Sequence, residues 1–134
     1  MLKSYQGSCH CQAVRFEAEI DLEAGTSRCN CSYCAKRRAW NAIIKPDAFR
    51  LLAGADDLGD YQFGQNIGHH RFCRHCGFSA FSDGHLEQIG GDFVSIAIGC
   101  LDGLTEEQKA AIPVNFVDGL HDNWWNTPAV TAYL

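Results

Sequence analysis

The sequence predicts a mainly β fold in one domain spanning 1–134, with one or two short helices. Three observations carry this prediction. Within "QAVRFEAEI", residues 14–20 alternate strictly between apolar and charged positions. Short apolar runs rich in β-branched residues recur between Gly and Pro breaks. One segment alone, "LTEEQKAAI", carries both the start and the stop signals of a helix.

Taken in order, Val14, Phe16, Ala18 and Ile20 share one face of the first strand, while Arg15, Glu17 and Glu19 take the other. A helical turn is expected at "SYCAKRR". "WNAIIK" reads as a strand stopped by Pro46, and "AFRLLAG" as an extended segment ending at Gly54. "DYQFGQNIGHHRFC" predicts two strands joined by a turn near Asn66 to Gly68. "FSAFSDG" is a strand ending at Asp83 and Gly84, and "DFVSIAIGCL" is a buried one. In the helix, Thr105 is the N-cap with Gln108 three residues on, a capping box, and Pro113 ends it. "VNFVDG" gives a last strand and turn. The apolar tail predicts that Trp124, Trp125 and Tyr133 pack back on the domain or on a partner chain.

With 134 residues, 46% hydrophobic and 20% charged, the chain suits one modest core and excludes a disordered or fibrous protein. A net charge of −5 argues against a nucleic-acid backbone binder, which needs a basic face. No apolar run is long enough for a membrane span. The opening "MLKSYQGSCHC" lacks the apolar stretch of a signal peptide, so a cytoplasmic location is expected.

In a reducing compartment, grouped cysteines point to metal before disulfides. Of eight cysteines, seven fall into three groups: Cys9 and Cys11; Cys29, Cys31 and Cys34; Cys73 and Cys76. Cys100 stands alone in an apolar run and reads as a small buried hydrophobe. "CRHCG" offers two thiolates at the span zinc needs, with Gly77 placed to turn the chain. "CHC", read as extended, puts Cys9 and Cys11 on one side and His10 on the other. A structural zinc on Cys9, Cys11, Cys73 and Cys76 would close a loop of about sixty residues in a small domain; disulfides or free thiols are the other readings.

The remaining Cys29, Cys31 and Cys34 would hold a second zinc with one position open, the usual catalytic arrangement. Such an ion lowers the pKa of an incoming thiol, activates water or polarises a carbonyl. A second structural site completed by Cys100 or a histidine is the alternative. Asn30 and Ser32, between the thiols, are placed to donate hydrogen bonds to sulfur. His70 reads first as a strand histidine filling a hydrogen-bond slot.

The segments "GSCHCQAVRFE", "CNCSYCAK", "GADDLGDYQF", "HRFCRHCG" and "GCLDG", in this order, resemble the glutathione-dependent formaldehyde-activating enzyme family, which includes centromere protein V. The resemblance runs from Gly7 to Gly103, and the "DGLHDNWW" tail fits it. It implies small antiparallel sheets organised around zinc–cysteine sites and the same division of ligands into four and three. It implies a carbon–sulfur lyase-type reaction, addition of glutathione to formaldehyde to give S-hydroxymethylglutathione. The partners would be glutathione or another small thiol and a small aldehyde, with neither nucleic acid nor membrane. Lys36, Arg37 and Arg38, directly after Cys34, would grip the carboxylates of glutathione, or else form a solvated basic face. A non-catalytic thiol carrier and a zinc-stabilised interaction module are the competing functions. The basic amino-terminal extension of centromere protein V is lacking here, so no chromosomal role is implied.

Overall fold

The computed structural model describes residues 1–134. Ten strands make two sheets. The smaller sheet joins β1 (Lys3–Ser8), β2 (Arg15–Ile20) and β5 (Phe49–Ala53) in the order β1-β2-β5, antiparallel throughout. The larger is built from β3 (Thr26–Cys29), β4 (Asn41–Ile44), β6 (Leu58–Tyr61), β7 (Gly68–Cys73), β8 (Phe81–Leu86), β9 (Gly91–Ala97) and β10 (Val114–Val117). Its order is β10-β3-β4-β9-β8-β7-β6. Every pairing in it is antiparallel except β3 with β10, whose parallel register sets Val117 opposite Cys29. The helices are α1 (Ser32–Arg37) and α2 (Glu106–Ala110).

The alternation in β2 is what joins the sheets. Phe16, Ala18 and Ile20 are fully or nearly fully buried, and the Phe16 ring packs 5.7 Å from Phe49 and 6.3 Å from Phe81 of the larger sheet. Val94, Ile96 and Ile98 complete one core cluster, to which Cys9, Cys73 and Cys100 also belong. The burial of Cys100 fits a small hydrophobe, and burial pushes its thiol up to about 12. The capping box forms as read: Thr105 Oγ1 accepts from Gln108 N–H and Gln108 Oε1 from Thr105 N–H.

Some elements differ from expectation. The strand at "FSAFSDG" runs on to Leu86, because its register with β9 continues past Gly84 to Gly91. "CHC" is not extended: β1 stops at Ser8, and Cys9 to Val14 form a turn closed by Cys9 N–H to Val14 O (3.0 Å) and Gln12 N–H to Cys9 O (3.1 Å). Gln12 takes a left-handed φ of 68° there. The tail is anchored by buried Pro128 and Leu134, whereas Tyr133, Trp124 and Trp125 are exposed, the last at 75%. Arg38 Nη2 donates to Leu134 O at 3.3 Å and holds the end of the tail.

Candidate metal centres

The first centre forms where the turn after β1 meets the turn after β7. Gly77 adopts φ 74° and donates to Cys73 O at 2.7 Å, a left-handed step that bends the chain back around the sulfurs. The sulfurs of Cys9, Cys11, Cys73 and Cys76 all lie within 4.8 Å of one another. Cys11 stands 3.7 Å from both Cys9 and Cys73. A tetrahedron with zinc–sulfur bonds of about 2.3 Å has edges of about 3.8 Å, whereas a disulfide needs about 2 Å. All eight cysteines are free thiols, so the donor set fits a four-sulfur metal site. Backbone N–H groups point at the sulfurs: Val14 to Cys9 at 3.3 Å and His75 to Cys73 at 3.4 Å. Such donors favour the thiolate over the thiol. A hydrogen bond from Cys11 N–H leads the lowering of Cys76 to about 6.

The second centre is local in sequence. Cys29 ends β3, Cys31 is the N-cap of α1, and Cys34 lies in its first turn. Their sulfurs also fall within 4.8 Å of one another. No fourth thiol, imidazole or carboxylate joins them at that spacing; Cys100 sits in the core instead. Cys31 N–H donates to Cys29 Sγ at 3.3 Å and Cys34 N–H to Cys31 Sγ at 3.4 Å. Hydrogen bonds from Cys29 and Cys34 hold Cys31 far below the ordinary thiol value, while those two are raised in return. A cation bound by the trio would take its sulfurs as thiolates and displace the protons they still carry.

Asn30 does not donate to sulfur, contrary to its reading from sequence. It is 4% exposed and donates to Asp118 Oδ1 at 2.8 Å, while its Oδ1 accepts from Leu120 N–H at 2.9 Å. This clamps the segment after β10 against the trio. Gly119 then lies so near that an added Cβ would stand 2.6 Å from both Cys29 Sγ and the edge of the Trp124 ring. Only glycine fits. The same hydrogen bond from Asn30, followed by one from His121, keeps the Asp118 carboxyl below its usual range.

Tyr33 of α1 lies between Cys31 and Cys34 in the chain. Its ring centroid lies 4.1 Å from His70, 5.6 Å from Phe63 and 6.2 Å from Tyr61. Arg37 donates to Tyr33 Oη at 2.7 Å and to Ser79 O at 3.2 Å. Lys36 is exposed, and none of Lys36, Arg37 and Arg38 pairs with an Asp or Glu side chain. The sequence reading passed over Asp118 and Gly119, because nothing local links them to the thiols and the parallel register of β10 with β3 brings them there; it gave Tyr33 no role although that residue lies between two of the thiols.

Residues 4–117 match the sequence model of a family described as glutathione-dependent formaldehyde-activating enzyme. Among solved structures, the chain is similar to a Rhodobacter sphaeroides protein of known crystal structure, with 31% identity and a TM-score of 0.69. That likeness covers 82% of this chain and 99% of the other. The mainly β fold, the two thiol clusters and the family match agree, and the chain belongs to the glutathione-dependent formaldehyde-activating enzyme family.

Proposed function

We propose that residues 1–134 form one zinc-binding domain with two zinc ions per chain, one structural on Cys9, Cys11, Cys73 and Cys76 and one on Cys29, Cys31 and Cys34. We further propose that the protein is a cytoplasmic carbon–sulfur lyase-type enzyme that joins glutathione, or a similar thiol, to formaldehyde or another small aldehyde. The observation that carries this reading is the trio itself: three converging sulfurs, no fourth donor, and side chains from distant segments packed beside its own loop and helix.

Zinc held by the trio would keep the incoming thiol deprotonated at neutral pH and hold it beside the carbonyl. The chain's own residues supply the rest. Asn30 and Asp118 hold the Cys29–Cys31 loop in one geometry. Gly119 and Trp124 close one flank, and Tyr33, from the same helix as Cys34, carries a cluster of aromatic rings. Lys36, Arg37 and Arg38 put positive charge without an Asp or Glu partner at the end of the trio's own helix, in a protein of net charge −5. That local excess suits the two carboxylates of glutathione. In the reaction the thiol gives up its proton, sulfur bonds to the carbonyl carbon, the π pair moves to oxygen, and oxygen takes a proton.

Metal analysis and X-ray absorption during a glutathione titration test this. Two zincs per chain, and one added sulfur neighbour per trio zinc, are expected. One zinc per chain, or a trio zinc with a fourth protein ligand that glutathione leaves in place, would overturn it. Exchange of formaldehyde with its glutathione adduct, measured with and without protein, separates an enzyme from a carrier.

A further inference from the structure

Most of the six histidines are spoken for. His69 bonds to Asp60 at 2.7 Å, His75 to Asp57 at 2.8 Å, His85 to Asp92 and Glu87 at 2.7 Å each, and His121 to Asp118 at 2.9 Å. His10 is exposed in the turn after β1. His70 stands apart: it is half-buried on β7 and bonds to no group of the protein. No buried side-chain nitrogen or oxygen in the molecule lacks a partner, so the unpartnered ring nitrogens of His70 must be open to solvent or ligand. An imidazole packed among aromatic rings usually satisfies its nitrogens within the fold. This one instead lies against Tyr33, the residue between two thiols of the trio in the chain, with Phe63 5.1 Å from His70 and 5.6 Å from Tyr33 in the same ring cluster.

Adduct formation needs such a group. A thiol must lose a proton and a carbonyl oxygen must gain one, and the thiols of the trio are taken up with one another. We propose that His70 is the proton carrier of the reaction: its imidazole accepts the proton released from the glutathione thiol. It then delivers that proton to the carbonyl oxygen as the sulfur–carbon bond forms and the π pair moves to oxygen. No oxidant or further reactant is required. The inference rests on the function proposed above and adds a role for a named side chain.

The surroundings suit a base that is neutral at rest. Burial, then the Arg37 charge from α1, lowers the pKa of His70; Cys31 and Asp60 act the opposite way, and its strand neighbour His69 adds to the lowering. Tyr33 and Tyr61 are the other titratable groups against the ring.

The test compares His70→Gln and His70→Ala with the wild type, each carrying its full metal complement and checked for fold by circular dichroism. Exchange between formaldehyde, glutathione and their adduct is followed by NMR. A fall on the order of 100-fold is expected for both variants, with partial recovery of His70→Ala on adding imidazole. His85→Gln, paired and remote, keeps the wild-type rate. The wild-type rate should decline as pH falls through the His70 ionisation, and His70→Gln should lack that limb. Independently of turnover, ring-labelled histidine spectra should show the His70 signals moving when glutathione is added. Wild-type rate and pH limb in His70→Gln, or His70 signals indifferent to glutathione, would overturn the role of His70 alone. A wild type that accelerates nothing would overturn the reaction, and the proton carrier with it.

Discussion

Two groups of thiols in one small domain are built on opposite plans. The four-sulfur cluster draws ligands from turns 62 residues apart, and two of them, Cys9 and Cys73, are buried members of the core. The three-sulfur cluster comes from six consecutive positions, and its distant neighbours supply no ligand: Gly119 and Trp124 pack beside Cys29, and His70 packs on Tyr33. A cluster that closes a long loop restricts the unfolded chain and so contributes to folding. A cluster that is local closes almost no loop; its three sulfurs converge in one short segment whether or not an ion binds. On the function proposed here, stability therefore belongs with the first and chemistry with the second.

The largest contrast is expected between Cys73→Ala and Cys31→Ala. Removing a fully buried ligand of the long-range cluster should cost more than about 4 kcal/mol and leave little cooperative thermal unfolding. Cys31→Ala should cost under about 2 kcal/mol, keep one metal per chain and lose metal-dependent thiol binding. Thermal denaturation with metal counting decides it. Equal losses of stability would erase the division of labour.

A smaller effect isolates the wall from the ligands. Gly119→Ala pushes a methyl group against Cys29 Sγ and the Trp124 ring, for an overpacking cost of about 1–3 kcal/mol. Metal affinity at the trio should fall roughly 10- to 100-fold while the four-sulfur cluster keeps its ion. Competition with a chelator, read as the number of metals retained, measures this. Loss of both ions together would mean that the clusters are not independent.

The smallest expected effect lies away from both. Hydrogen bonds to Asp92 and then Glu87 raise the pKa of His85. A raised folded value means that the pairing stabilises fully below the ordinary histidine pKa of about 6.5 and is lost as pH rises through the folded value. The stability difference between wild type and His85→Gln should therefore be present in mild acid and vanish with rising pH, weakening with salt because the site is exposed. Metal content should not change. Chemical denaturation across that range is the measurement.

Legibility from sequence followed the reach of each interaction. The capping box of α2, the alternation of β2 and the turn at Gly77 are settled within a few residues, and each formed as read. The turn at "CHC" was misread as a strand because alternate sulfurs converge equally well from either conformation, and three residues cannot distinguish them. Strand β3, "TSRC", has no alternation to announce it and exists through pairing with β4 and with β10, far along the chain. Trp124 and Trp125 were expected to pack back on the domain or on a partner chain; Trp124 does lie against Gly119, whereas Trp125 stands exposed and the buried residues of the tail are Pro128 and Leu134.

The residue spacing alone determined the grouping of the thiols, the strand-rich character of the chain and the helix at Thr105, because these depend on neighbours that stay close in any conformation. Tertiary structure decided what surrounds the sulfur trio. The clamp from Asn30 to Asp118, the glycine wall and the unpaired His70 arise only when segments tens of residues apart are brought together, and the chain-closure entropy of that meeting is met by the shared core, which no short stretch can encode.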